Sequence, residues 1–305
     1  MSRFIEIVEV GPRDGLQNEK AIVSTQDKIE LINRLEAAGS KRLETVSFVH
    51  PGRVPQMADA EAVMAGLAPD PAVTRIGLVL NARGWDRAVE TGVDQANVSI
   101  AASDGFALKN SGLTVAQQVE MLGEIVNRSH NMAGAPGAGP TVTAIISTVW
   151  GCPFDGEVSV DQVEAVVRDV VALGVGEIGL ADTIGVGDPW AVRRKVEAAR
   201  RAAPDALLRL HFHDTRNTAM ANIFAGIEAG VDVIDASVGG IGGCPFAPGA
   251  TGNVATEDVV YMLHRAGFET GYDLDALIET ARWIGDRIGR PAPSALSRAG
   301  GWPRL

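Results

Sequence analysis

Short runs rich in Val and Ile alternate along the chain with segments whose apolar residues recur every three or four positions. The first pattern predicts strands and the second helices. Side chains alternate across a strand, whereas they return to one face of a helix after about 3.6 residues. The strand runs are "IEIVEV" (5–10), "RLETVSF" (42–48), "VTRIGLVL" (73–80), "DQANVSI" (94–100), "TVTAIIST" (141–148), "EIGLA" (177–181), "LLRLHFH" (207–213) and "VDVIDAS" (231–237). Helices are predicted near 25–38, 56–67, 84–91, 114–132, 159–173, 188–202, 216–229 and 255–266. Strands alternating with helices imply a parallel sheet. Eight such units in one chain fit a closed (β/α)8 TIM barrel over 1–270, with a doubly wound open sheet as the alternative. Residues 271–305 read as an amphipathic helix and a Pro/Gly-rich tail packed on the barrel. The "AGAPGAGP" stretch (133–140) reads as a flexible connector.

Charge then narrows the partners. With 27 Lys and Arg against 38 Asp and Glu, the net charge is −11. No basic stripe is interleaved with aromatics, so nucleic acid is not expected as a partner. An anionic ligand would need local cations. No apolar run approaches the roughly 18 residues of a membrane span. The N-terminus carries charges within its first six residues and lacks a signal-peptide core. Two cysteines in 305 residues make no disulfide framework. A cytoplasmic, reducing compartment and a homo-oligomer, a dimer, are expected.

In a barrel, chemistry sits at the C-terminal ends of the strands and in the loops after them. "GPRDG" after strand 1 places Arg13 and Asp14 there. Glu44 lies on strand 2, where it could pair with an inward arginine such as Arg209. Asp182 ends strand 6 and would otherwise cap the next helix. On strand 7, His211 and His213 share a face while Leu208, Leu210 and Phe212 take the other. With oxygens from Asp14 and Asn253, the two imidazoles suit Mg2+ or Mn2+, and ligand type alone leaves Zn2+ open. Lys20, Lys109 and Asn110 are local donors for an anion, or plain surface residues. "GCPF" occurs twice, around Cys152 and Cys244. Cys152 reads as a packing residue. Cys244 lies in a glycine-rich loop beside the ligand set and reads as a reactive thiol. "GVG" (185–187) is no dinucleotide fingerprint.

The stretches "VEVGPRDGLQNEK", "LETVSFV", "DTIGVG", "HFHDT" and "SVGGIGGCPFAPGATGNVATEDVVYML" together closely resemble the 3-hydroxy-3-methylglutaryl-CoA lyase family of metal-dependent barrels. The resemblance runs over residues 5–267. It implies a (β/α)8 barrel that cleaves 3-hydroxy-3-methylglutaryl-CoA to acetyl-CoA and acetoacetate. It implies metal ligands at Asp14, His211, His213 and Asn253, Arg13 on the substrate carbonyl, and Cys244 as the active-site loop cysteine. Glu44, Asp182 and Glu257 fall on positions around the family's site, and Lys20, Lys109 and Asn110 on positions near its CoA. The proton-removing base stays open, with Asp14 one candidate. His211 or Cys244 would supply the acid. The chain departs from the family at Asn217, where a glycine or glutamine is usual, so the pocket beside strand 7 is expected to differ. Two alternatives are a lyase for a related 3-hydroxyacyl-CoA, such as a longer branched glutaryl or a citramalyl thioester, and a condensing synthase or aldolase on the same barrel.

Overall fold

A computed structural model describes residues 3–132, 139–243 and 252–302. Eight strands, β1 (Glu6–Glu9), β2 (Arg42–Ser47), β3 (Thr74–Val79), β4 (Gln95–Ala101), β5 (Thr141–Ser147), β6 (Glu177–Asp182), β7 (Leu207–Phe212) and β8 (Val233–Ala236), follow one another around a closed barrel. Every pairing is parallel, and β8 closes on β1 with Glu6 beside Val233. The architecture is the (β/α)8 TIM barrel that the alternation predicts.

The helices are α1 (Thr25–Ala37), α2 (Ala60–Ala65), α3 (Ala82–Thr91), α4 (Asp104–Ser111), α5 (Val115–Met132), α6 (Val160–Ala172), α7 (Pro189–Ala202), α8 (Ala219–Glu228), α9 (Thr256–Arg265), α10 (Leu274–Ile288) and α11 (Ala295–Ala299). Their starts follow local chemistry. Ser24 accepts the Asp27 amide at the head of α1, and Ser159 and Gln162 form a reciprocal capping box on α6. Asp188 caps α7 just before Pro189, whose missing N–H costs nothing at a first helical position.

Three differences from the sequence pattern have physical reasons. The helix expected over 56–67 shortens to α2, because Pro55–Met57 closes a separate 3-10 turn. α4 was not expected at all: only Phe106 and Ala107 of its eight residues are buried, so it shows no apolar stripe. The tail holds two helices rather than one. Part of 133–140 lies outside the described residues.

The apolar core is mainly a sheath between the outer faces of the strands and the helix ring, with Leu208, Leu210, Phe212 and Ile234 fully covered. Among the described residues, Val8, Val10, Ile76 and Val233 form a small separate apolar cluster on β1, β3 and β8. Leu78 and Ile145 add apolar lining at the mouth, and many of the other inward positions are polar. Arg42 on β2 donates to Gln95 on β4 at 2.7 Å and to Glu177 on β6 at 2.5 Å. Arg209 on β7 lies 3.4 Å from Glu177 and 3.5 Å from Asp235 on β8. This corrects the expected Glu44–Arg209 pair: the register sets Arg209 a layer below Glu44, between Glu177 and Asp235. Among the described residues, no helix is long and apolar enough to cross a membrane.

α10 packs on α1, α9 and the turn at Val238–Gly240. Leu277, Ala281 and Ile284 are buried in the same sheath as the barrel helices. Ile284→Ala should therefore lower the unfolding free energy by about 2–5 kcal/mol while one cooperative denaturant transition remains. A separate early transition, with the main one unmoved, would show α10 to be an independent appendage.

Candidate active site

The strand-1 loop begins as a wide helical turn, Gly11–Gly15, which carries Arg13 and Asp14 to the barrel mouth. Arg13 is buried and held from two sides. Its Nε donates to Glu44 Oε2 at 2.5 Å, and its Nη1 donates to Asp14 Oδ1 at 2.7 Å. Glu44 accepts a second hydrogen bond from Asn97 at 3.0 Å, and Asn97 in turn accepts from Thr143 at 3.2 Å. Arg13 is thus fixed in aim by Glu44 and Asp14, with Asn97 on β4 and Thr143 on β5 bracing Glu44, rather than free at a surface.

β7 presents His211 and His213 to the same mouth, their rings 5.2 Å apart. Asp14 Oδ2 lies 3.6 Å from His213 Nε2 and 3.9 Å from His211 Nε2. One ligand atom from each of the three residues falls within a 4.8 Å circle. Asn253 arrives because the chain after the glycine-rich loop is laid along the end of β7. His213 and Asn253 form an isolated antiparallel bridge, and the Val254 amide donates to the Phe212 carbonyl at 3.2 Å. Gly252 permits this approach: a Cβ there would sit 2.7 Å from the Gly240 carbonyl oxygen, too close for any side chain. Asn253 Nδ2 donates to Asp14 at 2.9 Å, while its buried Oδ1 has no partner. An orphaned amide oxygen, a carboxylate and two imidazoles around one point are a donor set that fits a divalent cation.

Electrostatics at the mouth is uneven. Burial alone would raise the Asp14 carboxyl. The Arg13 guanidinium, the His213 hydrogen bond and both imidazoles override it and hold Asp14 well below the usual carboxylate range. Burial would lower His211, but Asp235, 3.1 Å from Nδ1, and Asp14 outweigh it and raise the imidazole. Asp182 is raised by burial, partly offset by the Val186 and Gly187 amides it accepts at 3.0 and 2.7 Å. It therefore caps its own turn, whereas Asp188 caps the helix.

Arg13, Asp14, His211 and His213 line one side of a cavity of about 380 Å³, and Glu44 and Asn253 reach it only through their contacts to Arg13 and Asp14. Leu78, Leu80, Ile145, Val54 and Phe106 form its apolar wall, and Gln17, Asn18, Arg53 and Asn110 its polar rim. Arg13, Asp14, Glu44, His211, His213 and Asn253 thus come together as expected, and Asn110 reaches the rim. Lys20 and Lys109 are exposed and do not line the cavity. Asn217 does not line it either. Its left-handed φ of 55° explains why an asparagine can stand in for glycine there. Cys152 is buried in a tight turn, its sulfur accepting the Phe154 and Asp155 amides at 3.3 Å. Cys244 lies outside the described residues.

Glu257 is not at the cavity. It is fully buried at the start of α9 and accepts the Gly239 amide at 2.9 Å. Beside it is a residue the sequence reading passed over. Glu9 accepts the Gly11 amide at 2.7 Å, the Val238 amide at 2.9 Å and the Thr256 hydroxyl at 2.7 Å. It thereby ties the loop bearing Arg13 and Asp14 to the turn that leads into the glycine-rich loop. A charge between the strand-1 apolar residues was its only signal in the sequence.

A parallel barrel with a carboxylate, two imidazoles and a locked arginine at its C-terminal mouth has the layout of a barrel enzyme with a site able to hold a metal ion. Comparison with known proteins narrows this. Residues 4–284 match the HMGL-like family, and the chain belongs to that family. It is 41% identical over 290 residues to the hydroxymethylglutaryl-CoA lyase YngG of Bacillus subtilis, covering 95% of each chain. It is 42% identical to a 3-hydroxy-3-isohexenylglutaryl-CoA/hydroxymethylglutaryl-CoA lyase of Pseudomonas aeruginosa, covering 98% of each. An HMG-CoA lyase from Acinetobacter baumannii, solved with coenzyme A and 3-methylmalate, superposes with a TM-score of 0.92 at 39% identity, covering 99% of this chain and 97% of that one.

Burial raises both Glu9 and Glu257 to about 7, against which their hydrogen bonds act. Between the ordinary carboxylate value of 4.5 and about 7, the folded chain keeps protons that the unfolded chain has released. The stability these groups contribute is thus full at low pH and lost as pH rises through 7. Glu9→Gln keeps the acceptor oxygen and cannot ionise. Urea unfolding from pH 5 to pH 8 should show a shallower loss of stability in this variant than in the wild type. Identical slopes would mean that Glu9 does not titrate in this range.

Proposed function

We propose that this chain is a carbon–carbon lyase that cleaves 3-hydroxy-3-methylglutaryl-CoA to acetyl-CoA and acetoacetate. The observation that carries the reading is the convergence of Arg13, Asp14, His211 and His213 on one mouth cavity, with Asn253 hydrogen-bonded to Asp14 beside it. The family's hydroxymethylglutaryl-CoA lyases, about 41% identical over nearly the whole length, support the substrate. Acyl-CoA as the ligand is supported by the relative solved with coenzyme A.

In the reaction, the 3-hydroxyl loses its proton and C3 becomes the ketone of acetoacetate. The C2–C3 electron pair moves into the thioester as an enolate, and C2 then takes a proton to become the acetyl methyl. A divalent cation held by Asp14, His211, His213 and Asn253 would supply Lewis acidity toward the 3-hydroxyl and its neighbouring oxygen. Mg2+ and Mn2+ suit this set of two oxygens and two imidazole nitrogens without a thiolate.

Arg13 meets the enolate. Its guanidinium is charged throughout the working range and offers several fixed donors. Glu44 Oε2 is shared by Nε and Nη2, and Asp14 takes Nη1. The N–H bonds left over, one on each Nη, are the donors that the substrate oxygen would meet. Because these partners are in place before substrate arrives, little reorganisation is needed as charge develops. The apolar wall excludes water from the same space, which strengthens the contact.

A second reading concerns the C3 substituent. Leu78, Leu80, Ile145 and Phe106 offer a wall that would accept a longer branched 3-hydroxyglutaryl thioester, and the Pseudomonas relative bears a name with both substrates. Acetyl-CoA release from a panel of 3-hydroxyacyl-CoA thioesters decides between them. No release from any 3-hydroxyglutaryl thioester would sink both readings.

Arg13→Gln should lower kcat by about 10²–10³-fold, roughly 2.7–4 kcal/mol, with KM changed little. A raised KM at near-normal kcat would instead confine Arg13 to ground-state binding. His213→Ala should abolish tight divalent-cation binding in calorimetry, and full activity of wild type after exhaustive chelation would rule out the metal role.

A further inference from the structure

Directly behind His211, away from the cavity, lies a carboxylate that touches neither solvent nor the cavity. Asp235 on β8 is 2% exposed and sits opposite His211 in the β7–β8 register. Its Oδ2 is 3.1 Å from His211 Nδ1. A carboxylate can only accept in this contact, so Nδ1 carries the proton and Nε2 is the atom left to face Asp14. His213 has no such partner: its buried Nδ1 is unpaired. The two imidazoles, alike in sequence, are therefore held differently.

A buried carboxylate kept at this cost needs a counter-charge. Arg209 supplies it, with Nε 3.5 Å from Asp235 Oδ1 and 3.4 Å from Glu177, which Arg42 in turn holds at 2.5 Å. The chain of charge runs from the barrel floor up to the mouth and ends on the His211 ring. Arg209 precedes His211 by two residues on the same strand face, so strand geometry alone stacks the two against Asp235.

We propose that Asp235 is a positioning residue for His211. Braced by Arg209, it fixes the ring's orientation and tautomer so that Nε2 points into the mouth. The proposal rests on the reading of Asp14, His211 and His213 as a cation site. Carboxylates behind ligating imidazoles act in this way generally, and their loss costs about 10–100-fold in metal affinity.

The test uses full-length protein, with Mg2+ and Mn2+ binding measured by calorimetry and the imidazole protons of Mg2+-loaded protein observed by 15N NMR. Wild type should show a slowly exchanging proton on His211 Nδ1. In Asp235→Ala that signal should vanish and cation affinity should fall by about 10–100-fold. Asp235→Asn preserves shape and one acceptor oxygen, guards against a folding defect, and should fall between the two. The proposal is overturned if Asp235→Ala binds the cations as tightly as wild type. It is equally overturned if the Nδ1 proton signal survives in Asp235→Ala, or if the Asn and Ala variants are equally impaired. Wild type that binds no divalent cation would sink the cation reading instead, and the Nδ1 signal, recorded also on cation-free protein, with its loss in Asp235→Ala would still decide the positioning.

Discussion

The barrel is organised by charges that it buries along its own axis. Most (β/α)8 barrels fill their interior with layers of branched apolar side chains. Here Val8, Val10, Ile76 and Val233 form one small apolar cluster. Beside it the barrel buries Arg42, Glu177, Arg209 and Asp235, with Arg13 and Glu44 above them. A single unpaired member would cost about 3–5 kcal/mol, so the strands must hold a register in which each charge meets its opposite. That register also delivers His211 and His213 to the mouth and Asp235 behind them. Fold and site therefore rest on one set of pairings.

The same logic explains what the sequence made legible. The Val- and Ile-rich runs mark strands covered on their outer faces, and the turns between them mark eight units, so the barrel follows from local pattern. His211 and His213 two residues apart, "GPRDG" and the asparagine after the glycine-rich loop could each be assigned to a strand end. Partners could not. Glu44 and Arg209 both point inward, yet only the stagger between strands shows that Glu44 meets Arg13 while Arg209 meets Glu177 and Asp235. Asp235 and Glu9 looked like ordinary polar residues in apolar strands, because which face of β1 or β8 turns inward depends on closure of the whole sheet. Lys20 and Lys109 lie exposed outside the cavity lining, and position near a motif does not say what a long flexible side chain meets.

Glu9 and Glu257 extend the buried-charge principle to the outer side of the barrel, with a different solution. Among the described residues neither has a cationic partner, and backbone amides with the Thr256 and Ser294 hydroxyls take that place. Glu9 collects donors from the strand-1 loop, the turn after β8 and the head of α9, three segments far apart in sequence. Gly239, with φ at 72°, turns its amide toward Glu257, a conformation that a residue with a Cβ adopts only under strain. The segment leading into the glycine-rich loop is thus anchored at its base.

Rigid anchoring at the base and apolar lining at the wall serve one chemical need. An enolate forms and disappears within a single turnover, so the groups that meet it gain most by being placed beforehand. Arg13 satisfies this because two carboxylates hold it before substrate binds. Those carboxylates also weaken its field, which appears counterproductive until geometry is considered. Glu44 engages Nε and Nη2, Asp14 engages Nη1, and Asp14 is shared with both imidazoles. A cation drawn to Asp14 would compete with Arg13 for the same carboxylate and leave more of the guanidinium's charge for the substrate oxygen. Coupling through Asp14 would therefore make the arginine more effective when the cation site is filled, tying the two halves of the mouth into one catalytic unit.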